Sequence, residues 1–320
     1  MNFTNEKNIC FPIPPADKSG WPWYISSSIK NKIKKDYWPK ISIITPSYNQ
    51  GQFIEETIRS VLLQRYPNLE YIIIDGGSTD CTLDIIRKYG PWISYWVSEP
   101  DNGQSHALNK GFAVATGDIF GWINSDDTYN ENALKFVGKW FSENPLLEYL
   151  YGGIYVIDEN SKIIDGYRPL PVDMNYYLRY GMDIRQQGFF WTKKLHKKIG
   201  KIDETYKFAM DLDFLYRLLS KGNGDRIDAF LGNFRIQHNS KSTLINSICI
   251  RETKLILYKY KEELNSSILT KSRIFLRIRK IFYTLIFTGL KYPLYKLLKK
   301  ILNIQPPTNW LGVPINKYIS

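Results

Sequence analysis

From Lys40 onward the chain alternates short apolar runs with stretches whose apolar residues recur at helical spacing. Residues 41–45 (ISIIT), 71–74, 93–97 and 119–123 are strand-like: brief, and rich in β-branched and aromatic side chains. Residues 52–64 carry Phe53, Ile54, Ile58, Val61 and Leu62 on one helical face, and residues 79–89 and 107–115 are predicted as two further helices. Strand and helix in alternation dictate a mostly parallel sheet with right-handed crossovers and helices on both faces. The expected fold class is therefore α/β and Rossmann-like. Further on, residues 149–168 are predicted as a hairpin turning at 158–161, 188–191 and 230–236 as strands, and 208–219 as an amphipathic helix.

The fourth run ends in two adjacent carboxylates, Asp126 and Asp127. In open α/β sheets, ligands sit outside the carboxyl ends of the strands. A carboxylate pair at such an end suits a hard divalent cation, Mg²⁺ or Mn²⁺, shared with a diphosphate. The same pair also fits a polar turn, with Asp127 or Thr128 capping the next helix. The first strand ends in TPSYNQG, which lacks the GxGxxG spacing of a dinucleotide site. It offers instead Tyr48, an aromatic face for a base. The second strand ends at Asp75, whose carboxylate can accept the imide N–H of uracil or thymine. Gly103 and Gln104 precede a helix, and a helix N-terminus favours anions.

Charge is unevenly distributed. The net charge is +12, yet beyond Glu263 there are ten Lys and Arg and no Asp or Glu. Residues 1–263 hold 33 basic and 31 acidic residues, a net of only +2. The basicity belongs to a tail and points to an anionic surface as its partner. Residues 271–302 mix Lys and Arg with Phe, Tyr, Ile and Leu. Their longest uncharged run is ten residues, whereas spanning a bilayer takes roughly 20. A helix lying in an anionic membrane interface is expected there. No nucleic-acid motif accompanies the charge, so no nucleic acid is expected as partner. Cys10, Cys81 and Cys249 are far apart, which argues against both a disulfide framework and a zinc site. The first fifteen residues show no apolar leader core, so a cytoplasmic protein is expected. Residues 1–39, with Pro12, Pro14, Pro15 and Pro22, are predicted as an irregular arm pinned by its aromatics.

Five segments occur in a telling order: SIITPSYNQGQFIEETIRSVLLQ, IIIDGGSTDCTLDIIRKY, SEPDNGQSHALNKGF, ATGDIFGWINSDD and AMDLDFLYRLLSKG. In this order they resemble the bacterial family 2 glycosyltransferases of GT-A fold, over about residues 40–240. The resemblance implies a nucleotide-binding half at 40–130 and an acceptor half at 131–245. The arm at 1–39 and the helical tail at 246–320 stand outside the family motifs. It implies that Pro46 and Tyr48 hold the base, that Asp75 reads its edge, and that Gly103 and Gln104 lie near the diphosphate or sugar. Asp126 would meet ribose or metal-bound water, Asp127 and His238 the metal, and Asp211 would be the general base. Where the family's acidic motif opens with Asp, this chain has Ser125.

The resemblance further implies a Mn²⁺- or Mg²⁺-dependent, inverting transfer. A sugar would pass from a UDP- or dTDP-linked donor to a hydroxyl of a glycan or lipid-linked glycan. The setting would be surface polysaccharide or lipopolysaccharide synthesis on the cytoplasmic face of a bacterial inner membrane. Two rival functions are a sugar nucleotidyltransferase and a non-catalytic binding domain. The first needs a Gly-rich, Arg-containing loop after the first strand, and TPSYNQG is not one.

Overall fold

The computed structural model describes residues 10–24, 38–169, 177–178, 182, 184–237 and 247–263. Its centre is the strand β1 (Ile41–Ser47), buried at all seven positions. A strand covered on both faces must be apolar throughout, which is why ISIIT reads as one run. β2 (Leu69–Asp75) pairs with it in parallel, aligning Ser47 with Asp75, and β4 (Ile119–Trp122) pairs in parallel on its other side. β3 (Tyr95–Ser98) extends the sheet beyond β2. All four strands point the same way, so their carboxyl ends open on one rim.

Past β4 the sheet changes character. β8 (Phe189–Thr192) runs antiparallel to β4, and β6 (Tyr149–Ile157) runs antiparallel to β8. β9 (Gly224–Arg235) lies parallel to β6, and the two-residue β5 (Thr128–Tyr129) runs antiparallel to β9. β7 (Ile163–Tyr167) forms the expected hairpin with β6. The order among the described residues is β3-β2-β1-β4-β8-β6-β9-β5. The turn holding Asp126 and Asp127 is thereby clamped between β4 on one side and the β5–β9 pairing on the other.

Helices cover both faces. Ile41 and Ile43 face α1 (Ile54–Leu62), α2 (Thr82–Tyr89) and α4 (Ala133–Glu143), and Ile44 faces the opposite core. That second core is built by α3 (Gln104–Val114), α5 (Lys193–Ile199), α6 (Met210–Lys221) and α7 (Ser247–Glu263). α3 lies so close to β1 that a Cβ on Gly111 would come within 2.5 Å of Ile44 Cγ2. Only glycine permits that approach. Segment 10–24 is fastened by Arg59, which donates to the carbonyls of Pro12, Pro22 and Trp23, and by Trp21 Nε1, which donates to Tyr129 O.

The α/β sheet with helices on both faces is as the sequence predicts; one short strand is additional. β5 is not anticipated, α4 and the helix at His196 (α5) are expected as helices without bounds, and α3 begins at Gln104, three residues earlier than its apolar pattern. No helix among the described residues is long and apolar enough to cross a membrane. The basic stretch 271–302 lies outside the described residues.

Candidate active site

A cleft of about 710 Å³ opens at the carboxyl rim of the parallel strands. Pro46 and Tyr48 from the β1 loop form one side, with Tyr48 61% exposed. Gly103 and Gln104 at the head of α3 form its floor. Gly103 sits at φ +105°, a backbone conformation that favours glycine, and its N–H donates to Asp101 Oδ1 at 2.7 Å. Gln104 Nε2 donates to Asn124 Oδ1 at 2.8 Å, so the α3 head is tied to the acidic turn. Asp126 and Asp211 both line this cleft.

The two carboxylates of the acidic turn do different things. Asp126 is half-buried and reaches the cleft, where its Oδ2 accepts from Gln237 Nε2 at 2.7 Å. Burial pushes its carboxyl upward, partly offset by that amide. Asp127 is wholly buried behind the wall. Its Oδ1 accepts the Arg235 N–H at 2.9 Å, and its Oδ2 accepts from Gln187 Nε2 at 2.8 Å and Asn124 Nδ2 at 3.1 Å. Burial and then the charge of Asp126 raise its carboxyl well above the usual range. The nearest cation is Arg235, itself wholly buried, which also pairs with Glu56 at 2.9 Å.

Asp75 is likewise withdrawn. Its oxygens accept the N–H groups of Gly77 and Ser78 and the hydroxyls of Ser78 and Ser98, all within 3.1 Å. It shapes the loop whose Gly76 lines the cleft, and its side chain is fully buried. Asp211 opens α6, accepts the Leu212 N–H at 2.8 Å, and is raised by burial against a smaller lowering from Arg185. Asp213, two residues on, is almost wholly buried and pairs with Arg217 at 2.8 Å. His238 lies outside the described residues.

The structure thus brings Pro46, Tyr48, Gly103, Gln104, Asp126 and Asp211 to one cleft and sets Asp75 and Asp127 behind its wall. It adds residues that pattern reading passed over: Arg185, Gln186, Lys207 and Gln237 on the wall, and Arg235 beneath it. For Arg235 a signal existed. It shares a strand face with Leu231 and Asn233, and all three are buried. Several buried polar atoms of wall residues, Ser47 Oγ, Gln186 Oε1 and Gln187 Oε1, have no hydrogen-bond partner among the described residues. Buried polar atoms without partners at a cleft are what a polar ligand satisfies.

Beneath the wall, Arg235 Nη2 pairs with Glu56, its Nε donates to the Asp126 carbonyl, and its backbone N–H donates to Asp127 Oδ1. No group of three or more His, Cys, Asp or Glu able to hold a metal stands together among the described residues. One cleft carboxylate, completed by substrate phosphate oxygens and water, is nonetheless a donor set that Mg²⁺ and Mn²⁺ accept. Asp126 fits that requirement.

Comparison with known proteins agrees with this geometry. Residues 42–200 match the model of the family "Glycosyl transferase family 2". An uncharacterized glycosyltransferase of Mycobacterium tuberculosis is 31% identical over 182 residues, covering 56% of this chain and 68% of that one. One from Rickettsia typhi is 31% identical over 57% of this chain and 59% of its own. Among solved structures, Staphylococcus aureus TarS 1–349 in complex with UDP-GlcNAc superposes with a TM-score of 0.56, at 21% identity, over 68% of this chain and 65% of that one. The mannosyltransferase PcManGT of Pyrobaculum calidifontis, in complex with GDP-Man and Mn²⁺, gives a TM-score of 0.50 at 16% identity, covering 84% and 88%. At such identities the structural likeness speaks for the fold alone. The sequence matches go further: with the Mycobacterium relative aligned across two thirds of its length, the chain belongs to glycosyl transferase family 2 and is a glycosyltransferase.

Proposed function

We propose that the chain transfers a sugar, with inversion, from a UDP- or dTDP-linked donor to a hydroxyl of a glycan or lipid-linked glycan acceptor. The observation that carries this reading is the shared cleft of Asp126 and Asp211. One carboxylate stands at the end of β4, the other at the head of α6. A single displacement needs both: charge management at the leaving group and a proton acceptor at the nucleophile.

In this reading the donor base lies against Tyr48 and its diphosphate lies towards Gly103 and Asp126. Asp211 accepts the proton of the acceptor hydroxyl, and that oxygen forms a bond to the anomeric carbon as the bond to the nucleoside diphosphate breaks. General base catalysis of this kind contributes about 10²–10⁴-fold. Burial raises Asp211, which makes its ionised form a stronger base. Asp126 would hold the Mn²⁺ or Mg²⁺ ion, and Asp127 would fix the turn from behind. Such an ion, when bound, neutralises charge on the departing diphosphate. Arg185 and Lys207 add positive charge to the wall beside Asp211.

The setting consistent with the sequence is surface polysaccharide or lipopolysaccharide assembly, with the basic stretch 271–302 lying on the cytoplasmic face of the inner membrane. Purified full-length protein, supplied with Mn²⁺ and a panel of nucleotide sugars, is expected to release nucleoside diphosphate. Consumption of a nucleoside triphosphate with release of pyrophosphate would identify a nucleotidyltransferase instead. Donor binding without turnover on any acceptor would identify a binding domain.

A further inference from the structure

We propose that Glu252, on α7, is a positioning residue for the loop that carries Asp211 into the cleft. α7 turns one narrow face to the protein: Cys249, Glu252, Ile256 and Tyr260 are buried at spacings of three, four and four. A glutamate within an otherwise closed stripe needs hydrogen-bond partners. Glu252 finds them in three consecutive backbone N–H groups. Lys207 N donates to its Oε1 at 2.9 Å, and Phe208 N and Ala209 N donate to its Oε2 at 2.9 and 3.0 Å.

Those three donors immediately precede α6, which starts at Met210. A helix start leaves N–H groups without intrahelical acceptors, and a nearby side chain normally caps them. Here the cap position is Ala209, whose side chain has no acceptor, and of the first-turn donors Leu212 N–H goes to Asp211 Oδ1. Glu252, from a distant helix, accepts the N–H of the cap residue and of the two residues before it, and its negative charge suits the positive end of the α6 dipole. The loop it grips lies on the cleft: Lys207, Phe208, Met210 and Asp211 are all wall residues, as is Cys249 one turn before Glu252. α7 holds α6 a second time, where Tyr260 OH contacts the Asp213 carbonyl at 3.3 Å and its ring stacks on Tyr216 at 5.1 Å. Asp211 lies between the two grips. α7 itself lies beyond residue 200, where the family match stops.

The inference rests on Asp211 being the base, and its test keeps the two apart. Glu252→Ala, Glu252→Gln and Asp211→Asn are compared in the full chain by kcat, donor KM, nucleotide affinity and thermal midpoint. Glu252→Ala is expected to lower kcat by about tenfold or more, since displacing a reacting group by about 1 Å can cost ~10²-fold, while donor KM and nucleotide affinity hold. Glu252→Gln, which keeps one acceptor oxygen, is expected to recover part of that loss. A folded Glu252→Ala protein with unchanged kcat, beside an inactive Asp211→Asn, overturns the role of Glu252 alone. Full turnover by Asp211→Asn overturns the base reading. Equal loss of nucleotide affinity and kcat in Glu252→Ala makes Glu252 a general strut and also overturns the proposal. Should Glu252→Ala not fold, Glu252→Gln decides: wild-type kcat overturns the proposal, and a fall in kcat at constant KM supports it.

Discussion

Arg235 Nη2 donates to Glu56 Oε2 at 2.9 Å, joining β9 to α1 beneath the acidic turn, with the guanidinium wholly buried. The same side chain donates from Nε to the Asp126 carbonyl at 2.7 Å and from Nη1 to Ser161 Oγ at 2.9 Å, and its Cζ lies 5.0 Å from the centre of the Phe53 ring. Replacing Arg235 with Met leaves Glu56 buried beside an apolar chain. Breaking a buried pair from one side costs about 3–5 kcal/mol, mostly the penalty of the charge left behind. Arg235→Met is expected to lower the urea midpoint accordingly, and Arg235→Met with Glu56→Gln to cost less than the sum of the single changes. Additive losses in the double variant would refute the coupling.

Asp126 and Asp127 are neighbours in sequence, but only Asp126 reaches the cleft. Asp126→Asn is therefore expected to keep the fold and lose turnover, by about 10²-fold or more, as removal of a charge-stabilising group does. Asp127→Asn removes a carboxylate that receives Arg235 N–H, Gln187 and Asn124. An amide there cannot accept from all of them, and each unsatisfied buried donor costs roughly 1–3 kcal/mol. Asp127→Asn should show a lower denaturation midpoint as well as reduced activity. Equal stability of the two variants would contradict their different placement.

The sign of the Asp211 shift makes a kinetic statement. Burial raises its carboxyl above the ordinary value of 3.8, and the Arg185 charge pulls it partly back. A base must be ionised to act, so the acid limb of the kcat–pH profile is expected above pH 3.8. Arg185→Met removes the opposing charge and is expected to move that limb further up. A limb that moves down in Arg185→Met would reject Asp211 as the titrating base.

Much of the architecture was legible because parallel strands buried on both faces are continuous apolar runs, as 41–45 and 71–74 are. α4 carried a usable signal in Leu134, Val137 and Phe141, all buried at helical spacing. β5 carried none: two residues become a strand only because Asn233 and Gly232 of β9 pair with them. The candidate site was legible as residue types at strand ends, and less so in orientation. Adjacent carboxylates on a turn diverge, and only tertiary contacts decide that Asp127 turns inward to Arg235 N–H. Asp75 looked free in the sequence, yet its own loop supplies the Gly77 and Ser78 N–H groups that occupy it. Glu252 was illegible as well, since its partners are backbone groups more than forty residues away.

His196 lends itself to a stability test that is independent of catalysis. It packs among Phe112, Phe120 and Phe214, with its ring 4.8 Å from that of Phe112, and its Nδ1 accepts from Trp191 Nε1 at 3.3 Å. Burial, with a smaller push from the Arg217 charge, depresses it from 6.5 to about 4. A depressed folded-state value means that the unfolded chain binds the proton more readily between those limits. The stability held by neutral His196 is therefore complete above pH 6.5 and is lost as pH falls towards 4. At roughly 1.4 kcal/mol per pH unit, the loss approaches about 3 kcal/mol. The buried carboxylates titrate at low pH as well, so the informative quantity is the difference between wild type and His196→Phe. The stability of wild type relative to His196→Phe is expected to fall as pH drops from 6.5 to 4, because Phe has no proton to take up. A difference that stays constant over that interval would mean that His196 titrates alike in the folded and unfolded chain.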